Sequence, residues 1–166
     1  MPLRLKAAAA IGLSVRPMSS DDDAFVAALY ASTRAEELAA TGWPAEMQRQ
    51  FLAQQHQAQD RHYRTAYPDA EWLIIERSGS PVGRLYLLET ERELLIIDIS
   101  LVPEGRGRGW GGALLADVLA RADAAAIAVT LSVVRHNPAR RLYLRHGFEL
   151  VEDKGLYLVL ERPPAK

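Results

Sequence analysis

The chain has 166 residues, 20 of them basic and 21 acidic, for a net charge of −1. That length predicts one domain that buries roughly two-thirds of its unfolded surface without covalent staples, and the near-neutral balance gives no footprint for nucleic acid. No cysteine is present, which excludes disulfides, thiolate zinc sites and cysteine nucleophiles, and no apolar run approaches the ~20 residues that cross a bilayer.

The N-terminal stretch "MPLRLKAAAAIGL" places Arg4 and Lys6 ahead of an apolar run over residues 7–13. That run sits at the bottom of signal-peptide length, and "IGLSVRPM" reads as a first strand over 11–16 ended by Pro17. Residues 1–10 are therefore expected to be an extension, and the protein cytoplasmic. "SSDDDAF" opens a helix: Ser20 caps, Asp23 sits three residues on, and acids suit the positive end of the dipole. Phe25, Val26 and Leu29 continue its apolar face until "TGWP" at 41–44 breaks it. A second helix is predicted from Pro44 to about Arg64, with Met47, Phe51 and Ala58 on its inner side.

Three strand-like runs follow, "EWLIIER" (71–77), "VGRLYLLE" (82–89) and "LLIIDISL" (94–101), joined by connections short enough for an antiparallel meander. Beyond "RGRGWGG" a helix carries Leu114, Leu115, Val118 and Leu119. A strand "AVTLSVV" (128–134), a helix "PARRLYLRHG" closed by Gly147, and a hairpin of "FELV" and "LYLVLER" complete the chain. The helix between the strands at 94–101 and 128–134 implies a right-handed crossover, so those two run parallel. The expected fold is α/β: a mixed sheet, parallel at its centre and flanked by helices, in a single domain over 11–162 with a tail at 163–166.

"RGRGWGG", residues 106–112, carries two overlapping patterns. Gly107, Gly109 and Gly112 satisfy G-x-G-x-x-G; Arg106, Gly109 and Gly111 give R-x-x-G-x-G. A strand, a glycine-rich turn and a helix N-terminus together make an anion site, because unpaired N–H groups converge there and the dipole adds about half a positive charge. Arg106 and Arg108 add more. A Rossmann site also needs an acidic residue ending the next strand, about twenty residues on. Here that strand ends "VVRHN", with no acid, and the upstream meander does not suit a βαβαβ half-domain. An NADP site is the poorest fit.

The run "PEGRGRGWGGALL" with R-x-x-G-x-G, and "NPARRLYLRHGFE" with N-x-x-A-x-x-L-Y-x-x-x-G-F filled at every specified position, resemble the two signatures of the GNAT N-acetyltransferase superfamily. The element order resembles it too, over residues 11–162. The resemblance implies a centrally splayed sheet, acetyl-CoA as co-substrate and acetyl transfer to an amine. It implies that the backbone of Leu101 and Val102 pairs with the pantetheine arm. The loop of Arg106, Gly107, Arg108, Gly109, Trp110, Gly111 and Gly112 would hold the pyrophosphate. Trp110 stands where a smaller aliphatic residue is common in the family, and reads as a cover for the helix start. Asn137 reads equally as the N-cap of the helix after Pro138 or, by resemblance, as a pantetheine partner. Tyr143 matches a family tyrosine near the sulfur, where a phenol suits proton donation to the departing thiolate. As a residue alone it reads as a half-buried tyrosine beside Leu142 and Phe148.

Amines of pKa ~10 are mostly protonated near neutrality, so a proton acceptor is needed, directly or through water. Asp98, an acid inside an apolar strand, needs a partner or a raised pKa and is the first candidate; it also reads as a structural Asp bonded to amides or an Arg. Glu93 is the second, because some relatives carry a glutamate near the start of that strand. Others carry one where this chain has Ser132. Glu36, Glu37, Trp43, His56, His62 and Tyr63 are candidates to line the acceptor site, and each also reads as part of a solvated helix face. No H-E-x-x-H or similar spacing appears, so no metal is expected. With no cysteine to carry an acyl group, transfer is expected to be direct, to a small-molecule or peptide amine; the resemblance covers monomers and homodimers alike. A non-catalytic CoA-binding or regulatory module is the alternative, and retention of Tyr143 argues against it.

Overall fold

The computed structural model describes residues 2–166. A one-turn helix α1 (Ala7–Ala10) precedes strand β1 (Leu13–Pro17), and the long helices α2 (Asp23–Ala39) and α3 (Ala45–Ala66) follow. The meander of β2 (Glu71–Arg77), β3 (Ser80–Glu89) and β4 (Glu93–Leu101) leads to α4 (Trp110–Ala125), β5 (Ala128–Val134), α5 (Arg140–Arg145) and the hairpin of β6 (Glu149–Asp153) with β7 (Tyr157–Arg162). The strands form one sheet in the order β1-β2-β3-β4-β5-β7-β6. Pairing is antiparallel throughout except between β4 and β5, which run parallel as the crossover helix requires.

Helices cover both faces of the meander, which is why consecutive residues of its strands are buried: Ile74 with Ile75, and Leu85, Tyr86 and Leu87. On one face α4 packs Leu114, Leu115, Val118 and Ala122 against Leu85, Leu87, Leu94, Ile96, Val129 and Leu131. On the other lie α2 and α3. Helix α2 buries Val26, Leu29, Tyr30 and Leu38. Helix α3 buries no residue along its 22-residue length. The expectation that Met47, Phe51 and Ala58 form its inner side is corrected here: Met47 is half exposed and Ala58 exposed, while Phe51 is partly covered by Trp43, edge-on at 5.4 Å. The stripe that meets the sheet is polar, and includes Gln59 and Tyr63.

Ahead of β1, α1 is capped from another helix. The buried carboxylate of Asp117 on α4 accepts the N–H groups of Lys6 (3.1 Å), Ala7 (2.9 Å) and Ala8 (2.9 Å), the orphan donors of a helix start. Ala8 is fully buried. Among the described residues no helix is long and apolar enough to cross a membrane.

Candidate active site

Strands β4 and β5 begin paired and then part. Their ladder runs from Glu93 opposite Ala128 to Ile96 opposite Leu131 and stops there. Beyond it β4 stays paired with β3 as far as Leu101, and β5 with β7 as far as Val134. The cause is visible in the register: Leu87 faces Ile96 but Tyr86 faces Asp98, so Ile97 is an extra residue in β4. Such a bulge bends its strand and raises the local twist. Two strand edges are thus left facing one another across a wedge, with main-chain groups available to an extended guest. At the wide end the Val102 N–H is taken by the Val82 carbonyl (2.9 Å), and the Leu101 carbonyl accepts from Arg106 Nε (3.2 Å).

The glycine loop closes that wide end and leads into α4. Gly109 is its N-cap, in the left-handed region at φ +79°, which favours glycine. Trp110, the first residue of α4, lies buried on Gly105, where a Cβ would stand 2.5 Å from the indole; no side chain fits there. The guanidinium groups of Arg77 and Arg108 stack on the indole at 5.5 and 5.6 Å. Gly107 and Arg108 are exposed, and exposed Arg106 also reaches Ser32 of α2 at 3.4 Å. Gly111 and Gly112 lie against Leu142 of α5. The first turn of a 16-residue helix with unpartnered N–H groups, flanked by two exposed arginines, suits a phosphate group.

Helix α5 approaches the wedge from the β5 side. Asn137 Oδ1 accepts the Ala139 N–H at 2.9 Å, a side-chain cap on the turn entering α5, and His146 Nδ1 bonds the Leu142 carbonyl at 2.9 Å at its end. Tyr143 between them is buried and meets Phe148 edge-on at 5.7 Å. Burial, and then the negative charge of Asp98, push its phenol up to about 12. The hydroxyl therefore keeps its proton through the physiological range.

Asp98 is the first residue after the bulge, and its carboxylate is fully engaged. One oxygen accepts from Arg84 Nη2 (2.8 Å) and Tyr63 Oη (3.4 Å), the other from Ser100 Oγ (2.6 Å). The same Arg84 Nη2 donates to Gln59 Oε1 at 2.9 Å, and the guanidinium lies 5.0 Å from the Tyr86 ring. Both partners of the ion pair are enclosed, with side chains 3% and 12% exposed. Burial and the Asp98 charge raise the Tyr63 phenol far above its ordinary value. His56 stands beside Tyr30 (ring centroids 5.4 Å), and burial and the Arg84 charge lower its pKa, favouring the neutral ring. Arg84 and Gln59 carry no motif; an arginine within the apolar run "VGRLYLLE" was the one signal that a buried partner had to exist.

The structure thus brings Asp98 and Tyr63 together at the point of divergence, with Tyr143 near enough to feel the Asp98 charge. It does not bring Glu93 there. Glu93 sits at the closed end of β4–β5, five residues or roughly 16 Å along the strand from Asp98, where its carboxylate accepts from Thr130 Oγ1 at 2.8 Å. Of the six acceptor-site candidates, His56 and Tyr63 are partly buried. Glu36, Glu37, Trp43 and His62 are exposed, Glu37 in an ion pair with Arg34 at 2.6 Å.

A parted pair of parallel strands, a phosphate-ready loop at its mouth and a buried tyrosine at its seam narrow the possible relatives, and comparison decides among them. The profile of the Acetyltransferase (GNAT) family matches residues 28–148. The chain belongs to that family. No curated protein matches it in sequence, but solved structures match its GNAT fold over most of both chains. The PaiA N-acetyltransferase from Thermoplasma acidophilum, in complex with coenzyme A, is 16% identical with a TM-score of 0.69, covering 91% of this chain and 98% of its own. An acetyltransferase from Thermus thermophilus is 19% identical with a TM-score of 0.66 (92% and 97% covered). A GNAT family acetyltransferase from Elizabethkingia anophelis with acetyl-CoA bound is 14% identical at 0.60 (92% and 98%). This GNAT chain is accordingly an acyltransferase, and acetyl transfer is its general chemistry.

Proposed function

We propose that the chain moves an acetyl group from acetyl-CoA directly to a primary amine. The observation that carries this reading is the wedge, with an anion-suited loop at its wide end and a protonated, buried phenol at its seam. The residues present fit acetyl-CoA. Arg106, Arg108 and the amides of 107–112 hold the pyrophosphate, and the unpaired edge of β4 runs beside the pantetheine. Trp110 supports the loop from below, and Asn137 caps the chain into α5.

With acetyl-CoA so placed, the amine nitrogen attacks the thioester carbonyl carbon; a C–N bond forms and the C–S bond breaks. The electron pair of that bond goes to sulfur, which takes the proton of Tyr143. The acceptor nitrogen, cationic after attack, gives a proton to solvent water, and a proton from solvent restores the phenol. Asp98 already accepts three hydrogen bonds, one of them from the Arg84 guanidinium, so its role is to offer negative charge to the cationic nitrogen rather than to act as a strong base. Glu93 and Thr130 pin the closed end of the wedge. The neighbours that carry coenzyme A or acetyl-CoA support the choice of co-substrate.

Thermal unfolding with acetyl-CoA, CoA and NADPH added separately tests this. A ligand at a hundred times its dissociation constant stabilises by about 2.7 kcal/mol, a rise of roughly 5–10 °C at this size. The expected rise comes with acetyl-CoA and CoA and not with NADPH; NADPH alone would reverse the reading of the glycine loop. An amine screen following free-thiol release then identifies the acceptor.

A further inference from the structure

Among the polar contacts between α3 and the sheet, one side chain is placed to control two elements together. Arg84 Nη2 bonds Asp98 of β4 at 2.8 Å and Gln59 of α3 at 2.9 Å. Tyr63, one turn beyond Gln59, reaches the same Asp98 oxygen at 3.4 Å. Asp98 follows the bulge at which β4 leaves β5. Helix α3 buries no residue completely; it lies along α2, with Phe51 and His56 beside Arg34 and Tyr30. Where it meets the sheet these directional bonds, together with Tyr63 edge-on to Tyr86 at 6.2 Å, hold a geometry that apolar contact alone would not specify. An arginine is enclosed here at a desolvation cost that its ion pair barely offsets, and a leucine or methionine would fill the space with less.

We propose that Arg84 is a positioning residue for the acceptor: by joining α3 to Asp98 at the point of divergence, it sets the wall along which the amine approaches the thioester. The inference rests on the amine-transfer reading above. Arg84 does not touch the loop that takes the cofactor, so its effect falls on the acceptor and not on CoA. Arg84→Lys keeps a charge beside Asp98 but lacks the planar guanidinium whose Nη2 is fixed between Asp98 and Gln59, and gives an intermediate phenotype.

The test compares wild type, Arg84→Met and Arg84→Lys by CoA titration calorimetry, by hydrogen exchange over residues 45–66 with CoA bound, and by kinetics at saturating acetyl-CoA. Phenethylamine and a Ser-Ala-Leu tripeptide serve as acceptor probes. Arg84→Met is expected to bind CoA within about twofold of wild type, to exchange its α3 amides at least about tenfold faster, and to raise the acceptor KM about tenfold or more with kcat changed less than threefold; Arg84→Lys recovers part of the KM. If Arg84→Met fails to fold because Asp98 is left buried and unpaired, Gln59→Leu, which cuts the link from Arg84 to α3 and leaves the ion pair with Asp98 in place, is measured by the same readouts instead. The proposal is overturned if α3 exchanges at the wild-type rate, or if the acceptor KM is unchanged while only thermal stability falls. Absence of CoA binding by wild type would instead overturn the transfer reading, so the two failures are distinguishable.

Discussion

Helix α4 meets the sheet through Leu114, Leu115, Val118 and Ala122, all fully buried, whereas α3 meets it through a guanidinium, a carboxylate, an amide and a phenol. The first contact is non-directional and sensitive chiefly to volume change; the second depends on direction as well. The division matches the two halves of the proposed reaction. The cofactor presents the same groups at every turnover and is met by a rigid, dry foundation. The acceptor differs from one acetyltransferase to the next, and it is met by a helix whose seat a few polar residues define.

The strongest way to break this contrast lies at the seam. Tyr143→Phe keeps the apolar packing and loses the proton, so it is expected to lower kcat by about 100-fold or more while the melting temperature stays close to wild type; an equal loss in stability would assign Tyr143 to packing alone. On the α4 face, Leu115→Ala should cost roughly 3 kcal/mol in denaturant unfolding. Asp117→Asn turns an amide donor toward one of three backbone N–H groups and should cost about 2 kcal/mol, with faster exchange at Lys6, Ala7 and Ala8. A subtler test is acid titration. Bonds from Arg16 and Ser19 hold the Asp22 carboxyl at about 2, below its ordinary 3.8. A folded pKa depressed in this way contributes stability above pH 3.8 that is lost as pH falls through about 2; Asp22→Asn should flatten the stability curve in that window. The smallest expected effect sharpens the contrast most. Met47→Ala, on half-exposed surface of α3, should change stability by less than about 0.5 kcal/mol.

The sheet, its parallel centre and the glycine turn that opens α4 were legible in the sequence because each rests on local signals: alternation along strands, glycines at a turn, short connections. The packing of Tyr143 beside Phe148 was legible as well, from their neighbouring places around the helix that Gly147 closes. The inner side of α3 was not. Met47 and Phe51 carry an apolar period, yet the residues that reach the sheet are Gln59 and Tyr63, and polar side chains give no periodicity to read. Asp98 announced itself as an acid in an apolar strand, but its partner Arg84 lies fourteen residues away on another strand, a pairing set by register alone. Glu93 matched its expected place by counting along the strand. The Ile97 bulge then put the divergence beyond it, and one inserted residue is invisible to a count.

The contact of two guanidinium groups with Trp110 has an optical consequence. Of the three tryptophans, Trp43 is exposed and meets Phe51, and Trp72 packs with Arg64 and Tyr86. Trp110 is packed under it, with Arg108 resting on its ring. A phosphate that draws Arg108 away strips a cation from the indole face and alters its emission. A Trp43→Phe/Trp72→Phe protein would then carry a single tryptophan beneath the glycine loop, so that a change in its emission on adding acetyl-CoA would report occupation of the loop in real time and without a label.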